Sequence, residues 1–170
     1  MSLTDTAARL RVPLGFVCGI VALALADPSA RTLAIGAGIA SAGEALRIWA
    51  AGHLEKSREV TTSGPYRFTR HPLYVGSTIM AIGFVVAANS LGVAIVALVY
   101  FAVAYTAAIR REEAFLTATF GDAYPDYKAG RLGGVARRFS LDRAGRNREY
   151  RAVLGLAVAI GVLAVKLAIR

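Results

Sequence analysis

The chain has few of the residues from which metal and redox centres are built: one cysteine, Cys18, and two histidines, His53 and His71, in 170 residues. A lone cysteine excludes an intrachain disulfide or a thiol pair, and with two histidines it is too small a set for zinc or a histidine-rich centre, so no metal is expected. Charge is scarce and uneven: 18% of residues are charged, with 20 Lys and Arg against 11 Asp and Glu, for a net charge of +9. No aromatic-interleaved basic motif accompanies that charge, so nucleic acid is not expected as a partner. Internal repeats are absent as well. What fills the chain instead is apolar, 56% of residues with a mean hydropathy of +0.52. Soluble domains hold roughly 45–50%, and a water-soluble fold is not expected.

The apolar residues fall in five runs, 12–26, 33–51, 73–88, 91–109 and 152–169. Each approaches or reaches the roughly 17–25 residues a helix needs to cross hydrocarbon. The expected fold is all-α, an integral membrane helical bundle of about five transmembrane helices forming a single domain over residues 1–170. The first run has a second reading, because Arg9 and Arg11 precede an apolar stretch ending in Ala24-Leu25-Ala26, the form of a secretory cleavage site. Asp27-Pro28 also suits a tight turn between two helices, and a retained span is the expectation.

Lys and Arg favour cytoplasmic loops. Lys56, Arg58, Arg67 and Arg70 lie between the second and third runs, Arg110, Arg111 and most of the remaining arginines between the fourth and fifth, whereas the turns near Asp27 and Asn89-Ser90 carry little positive charge. Both basic loops and the N-terminus are therefore placed in the cytoplasm. Attraction to anionic headgroups accounts for their charge without further function.

Within the first loop stands GPYRFTRHPLYVG, residues 64–76, which gathers Arg67, Arg70 and His71 at the mouth of an apolar run. Proline is tolerated at the first position of a helix, so Pro72 starts one. The N–H groups of Leu73 and Tyr74 are then expected to be open, beside Arg70 and His71, as a place for a carboxylate or phosphate. A capped helix end with snorkelling arginines is an equally good local account.

The second loop opens with RREEAFLTATFGDAYPDYK, residues 110–128, which extends the fourth helix beyond the bilayer as an interfacial segment with Phe115, Leu116 and Phe120 on its apolar side. The short turn at Asn89-Ser90 makes the third and fourth helices an antiparallel hairpin. The His71 end therefore faces Glu112 at about one packing distance, 8–10 Å, and a cleft between cationic and anionic groups can receive a zwitterion. Inside the second run, Glu44 and Arg47 are three apart on one face. They read either as a mutual ion pair or as a lining for the polar end of an amphiphile, with Trp49 and His53 following.

These two stretches together, G-x-Y, R-H-P-x-Y-x-G, then E-E-x-x-L and F-G-x-x-Y-x-x-Y, resemble the isoprenylcysteine carboxyl methyltransferases and their phospholipid methyltransferase relatives. The diagnostic core is 51–128, followed by a basic connector, 129–151, and a C-terminal transmembrane helix, 152–170. The resemblance implies a single transmembrane methyltransferase domain using S-adenosyl-L-methionine, with a cytoplasmic-side cofactor pocket and a lipid-like or prenylated acceptor entering from the bilayer. By motif position it implies a cofactor site of His53, Val60, Thr61, Tyr66, His71, Pro72, Leu73, Tyr74 and Glu112. Charge balance at the reacting groups makes Arg70 and Arg111, beside Glu112, the catalytic candidates, and Glu44, Arg47 and Arg111 are the candidates on the substrate side. The prenylcysteine enzymes carry an arginine four residues before the glutamate matched by Glu112; here that position is Ala108, which separates this chain from them on the acceptor side.

Carboxylate O-methylation is the reaction the resemblance favours. Such an acceptor needs positioning and charge balance but no base, whereas a phospholipid amine must first lose a proton, to Glu112, Glu113 or His71. Two other readings compete. A membrane NADPH-dependent reductase of the sterol reductase type shares an R-H-P-x-Y motif but would bring a longer chain and further Trp and Asn contacts. A non-enzymatic membrane scaffold would bind no cofactor.

Overall fold

The computed structural model describes residues 3–56, 58–131 and 137–169, with the backbone alone for 3–13. Among the described residues every regular element is helical: α1 Leu3–Leu25, α2 Ala30–Ala51, a 3-10 turn Gly64–Arg67, α3 Pro72–Ala88, α4 Leu91–Phe120, α5 Ala123–Lys128, α6 Leu141–Arg146 and α7 Tyr150–Ala168. α1 begins well before the apolar run expected at 12, because the polar residues ahead of it continue the same helix.

Local chemistry sets the ends. Ser29 and Thr32 form a reciprocal capping box at the start of α2. Pro72 occupies the first turn of α3, whose last turn closes on Asn89 at φ 49°, a left-handed conformation that asparagine tolerates. α4 runs unbroken from the apolar segment into the polar extension and stops at Gly121, φ 54°.

α3 packs chiefly on α2, while α4 lies mainly against α1. The hairpin between α3 and α4 is present, but its two helices touch less than the expectation of close neighbours implied. The reason is side-chain size. Gly36, Ala40 and Gly43 of α2 meet Gly76, Gly83 and Ala87 of α3 backbone to backbone; a Cβ at Gly43 would lie 2.6 Å from the Gly76 carbonyl, and one at Gly36 would fall on the backbone of Ala87. Small residues let helices approach closely where lipid offers no hydrophobic drive to associate.

One end of the bundle is tied by backbone carbonyls. The Asp27 N–H donates to Ala88 O at 2.7 Å, Asn89 Nδ2 to Asp27 O at 3.1 Å, and Lys166 Nζ to Leu23 O and Ala24 O at 2.9 and 2.7 Å. A small core of Ala22, Ala26, Ala87, Ala88, Val93 and Leu163 sits there. Elsewhere large apolar side chains face outward: Phe16 is 71% exposed, Ile20 68%, Leu98 71% and Val158 65%. Two helices, α4 and α7, are long and apolar enough to cross a membrane, and few of their side chains are buried within the protein. Apolar surface on this scale marks a face that meets lipid or another apolar surface rather than water.

The other end is polar, and there the basic connector folds back on the end of α2. Asn147 donates to Ala51 O and Leu54 O at 2.8 and 2.9 Å, and Ser140 N–H to Gly52 O at 3.1 Å. Arg143 bonds Glu55 at 2.8 Å and Arg137 lies 2.8 Å from Glu59. The last carbonyl of α2, Ala51 O, and those of Gly52 and Leu54 just beyond it are thus satisfied by the Asn147 side chain and the Ser140 N–H from far downstream, while Ile48 O and Ala50 O accept from the local backbone.

Candidate active site

α3 begins with His71 as its N-cap, without a side-chain cap bond, so the imidazole is free to face α4. Its Nε2 lies 3.3 Å from Glu113 Oε1 and its Nδ1 3.9 Å from Glu112 Oε2. The two motif halves therefore meet at side-chain contact. The backbone differs from expectation: the Tyr74 N–H is donated to His71 O at 3.0 Å, the helix having tightened at its first turn, and Leu73 N–H is the one left open there among the described residues.

Glu113, rather than Glu112, is the hub. Lys128 Nζ donates to it at 2.9 Å, and Arg70 lies 3.5 Å away. The Lys128 bond, aided by His71, outweighs partial burial and holds its carboxyl at about 2. Among the described residues Glu112 is engaged only by the long His71 contact, and its side chain is 43% exposed.

Around this pair stand aromatic rings. Tyr74 packs edge-on to His71 at 5.8 Å and to Tyr105 at 5.0 Å, and Tyr105 to Phe101 at 4.7 Å. Tyr66, in the 3-10 turn, is buried, and its carbonyl accepts the Tyr127 hydroxyl at 2.5 Å. Burial pushes the Tyr66 hydroxyl far above the ordinary phenol range, with Glu112 adding to the effect. The turn, the start of α3, the exit of α4 and α5 are thereby fastened into one polar mouth.

Other expected site residues are placed differently. His53 is buried, its Nδ1 3.1 Å from Ser63 Oγ, with Gly64 pressed against the ring and Phe139 at 6.3 Å. Burial lowers its pKa and Arg143, Arg137 and Arg67 act in the same direction, so it stays neutral. Thr61 is buried and accepts the Glu55 N–H at 3.2 Å, beside half-buried Val60. Pro72 is fully buried. Arg110 and Arg111 are exposed on α4, and among the described residues neither forms an ion pair. Ala108 is buried.

Glu44 and Arg47 form the ion pair that their spacing suggests, but Arg47 is shared with a second, closer acid. Arg47 Nε bonds Glu149 at 2.7 Å, with Glu44 3.7 Å away, and its Nη1 reaches Ser77 Oγ and Leu73 O on the first turns of α3. Among the described residues both Glu44 oxygens lack a hydrogen-bond partner. Glu149 escaped the sequence reading, although it is one of only two acids, with Asp142, in the connector 129–151. Lys128 and Tyr127 were visible only as motif ends; their partners lie across the fold.

A family model described as Phospholipid methyltransferase matches residues 39–123, half of the chain. The cobalt-zinc-cadmium resistance protein CzcN of Cupriavidus metallidurans is 36% identical over 111 residues, 64% of this chain and 49% of the relative. The nickel-cobalt-cadmium resistance protein NccN of Alcaligenes xylosoxydans xylosoxydans is 36% identical over 100 residues, 58% of this chain and 46% of the relative. The chain thus spans about half the length of these curated relatives. No solved structure matches. Among the described residues no three His, Cys, Asp or Glu side chains are grouped to hold a metal ion.

Proposed function

Because this chain belongs to the phospholipid methyltransferase family, we propose that it is a membrane methyltransferase using S-adenosyl-L-methionine, with the cofactor held at the polar mouth between the start of α3 and the exit of α4. The observation that carries the reading is the meeting of His71, heading a proline-initiated helix, with Glu112 at 3.9 Å. An imidazole and a carboxylate face one another with the Glu112 side chain 43% exposed, which suits a zwitterion such as the methionine end of that cofactor.

When bound, the cofactor supplies an electrophilic methyl on a sulfonium. The chain's own part follows from its chemistry. Leu73 N–H and His71 orient a carboxylate, and Glu112 accepts from an ammonium or from ribose hydroxyls. The rings of Tyr66 and Tyr74 flank the cation, with Pro72, His53, Val60 and Thr61 shaping the surrounding loop. Arg70 and Arg111 balance negative charge on the acceptor, and Arg47 with Glu44 lies on the membrane side of the same wall.

The acceptor is a hydrophobic molecule reaching the mouth from the bilayer. A sulfonium donor would lose charge to an anionic acceptor, so a dry mouth would favour the transfer. A carboxylate acceptor asks nothing more of the site than charge balance. An amine acceptor needs a base, and Glu113, tied to Lys128 and held at about 2, is a poor one; the duty would fall to His71 or Glu112. The same reading takes all five apolar helices as spans, with the polar mouth and the connector on the cytoplasmic side.

Calorimetric titration of the purified protein with S-adenosylhomocysteine and, separately, with NADPH tests the cofactor. Saturable heat with the first and none with the second is expected. Heat with the nicotinamide alone would point to the reductase chemistry, and heat with neither to a scaffold.

A further inference from the structure

The sequence puts Arg47 toward the acceptor, but its bonds run to the start of α3. Nε donates to Glu149 at 2.7 Å, and Nη1 to Ser77 Oγ and, at 3.4 Å, to Leu73 O. Glu44 stands 3.7 Å from Nε as a second acid. A guanidinium carries its donors in a fixed fork, so the acid that holds Nε also decides where Nη1 points.

Nη1 points at a peptide unit that is held from both ends. Leu73 O also accepts the Ser77 hydroxyl at 2.9 Å, and the Tyr74 N–H at the other end is donated to His71 O at 3.0 Å. The Val75 N–H returns to the same His71 carbonyl at 3.1 Å. These bonds fix the first turn of α3, and Leu73 N–H is the donor they leave over among the described residues.

The proposed cofactor duties hang on that turn. Leu73 N–H and the His71 imidazole are to orient a carboxylate together, and a misplacement of about 1 Å between positioning groups can cost on the order of a hundredfold in rate. Whatever holds the turn therefore acts on the ligand without touching it.

The chain of contacts that holds it starts outside the family match. Glu149 is the N-cap residue of α7, 102 positions from Arg47 and beyond residues 39–123. Side-chain exposure is 7% for Glu149 and 20% for Arg47. Desolvation offsets much of the attraction in so buried a pair, so its gain in stability over apolar packing is small, while its charge-assisted bond fixes a direction.

We infer that Glu149 is a positioning residue for the cofactor site: through Arg47 and Ser77 it fixes the first turn of α3, and with it Leu73 N–H and His71. Arg47 is then a positioning residue too, rather than a contact of the acceptor. The role rests on reading the mouth as the cofactor site, and it makes the start of α7 part of that site's construction.

The test uses the full chain in detergent. Glu149→Gln removes the charge that holds Nε, Ser77→Ala removes the hydroxyl between Nη1 and Leu73 O, and Ser77→Thr restores a hydroxyl. Calorimetry with S-adenosylhomocysteine should show binding weaker by about tenfold in Glu149→Gln and about fivefold in Ser77→Ala, at unchanged stoichiometry, with Ser77→Thr near wild type. A role confined to stability would lower the fraction of molecules that bind and leave the dissociation constant unchanged, which would overturn the inference. In methyl transfer to a membrane lipid extract, the S-adenosyl-L-methionine concentration for half-maximal rate should rise by the same factors, with the saturated rate kept. A lower saturated rate at unchanged cofactor affinity would return Arg47 and Glu149 to the acceptor side. Amide hydrogen exchange over residues 73–76 of the cofactor-free protein should be faster in Glu149→Gln and Ser77→Ala; unchanged exchange would show that Glu149 does not fix the turn. Absence of heat with the wild type would instead remove the cofactor reading, and the exchange measurement would still decide what Glu149 holds.

Discussion

The two sides of α3 are built on opposite rules. Toward α2, Gly76, Gly83 and Ala87 bring backbone against backbone and leave no space. Toward α4, two and five residues out of phase with that seam, His71 and Tyr74 hold the neighbouring helix off with rings and ion pairs. A sealed seam fixes the position of α3; its other side meets α4 through rings and charged groups rather than through close backbone packing. The family motif spans both sides: His71 and Tyr74 face α4, while its last residue, Gly76, belongs to the seam with α2.

The comparison breaks most severely at the buried ion cluster on the sealed side. Arg47 lies against Gly76 and joins Glu149 and Glu44, whose side chains are 7% and 6% exposed. Arg47→Met leaves two buried carboxylates without a cation and should cost about 3–5 kcal/mol of stability; chemical unfolding in detergent measures it. Glu149→Gln, which lets Glu44 take over part of the pairing, should cost less. Equal losses would show that Glu44 is no reserve partner.

Next comes Gly83→Val, which places a side chain onto the backbone of Ala40. Overpacking of this kind should cost on the order of 3 kcal/mol, whereas Tyr105→Phe on the α4 side should remain within about 1 kcal/mol. Similar unfolding temperatures for the two variants would remove the distinction between the sides.

Smaller effects are expected at the mouth itself. Glu112→Gln should weaken S-adenosylhomocysteine about tenfold, the loss of one charge-assisted contact, without moving the unfolding midpoint, because the side chain is half exposed. Glu113 should show itself in acid. Its folded carboxyl titrates at about 2 against an ordinary 4.5, so its stabilisation is present above 4.5 and is lost as pH falls toward 2. Stability followed from pH 5 to pH 2 should decline less steeply in Lys128→Gln, which lacks the bond that lowers the carboxyl. An identical slope would assign the acid sensitivity elsewhere.

Much of the α4 side was legible in the sequence. Proline placement gave the start of α3, the short Asn89-Ser90 turn gave its hairpin with α4, and topology then brought His71 to the two glutamates. The choice of Glu113 as hub was not, because Lys128 reaches it across a turn whose geometry depends on Gly121. The sealed side was legible only in part. Gly36, Ala40 and Gly43 recur at helical spacing, as do Gly76, Gly83 and Ala87, yet small residues in a membrane helix do not name their partner. Local spacing was incomplete at Arg47: it gave the ion pair with Glu44 at i,i+3, but the long side chain also extends to α3 and finds Glu149, 102 positions away, at closer range. Long-range pairing of this kind is decided by where α7 docks, and no local pattern carries that.

The most direct test is transfer of a labelled methyl group from S-adenosyl-L-methionine to a membrane lipid extract by the purified protein, alongside His71→Ala and Glu112→Gln variants shown to fold. The account predicts label in the lipid phase with the wild type and its loss in both variants. Label that appears equally with all three proteins, or with none of them despite saturable S-adenosylhomocysteine binding, would contradict it.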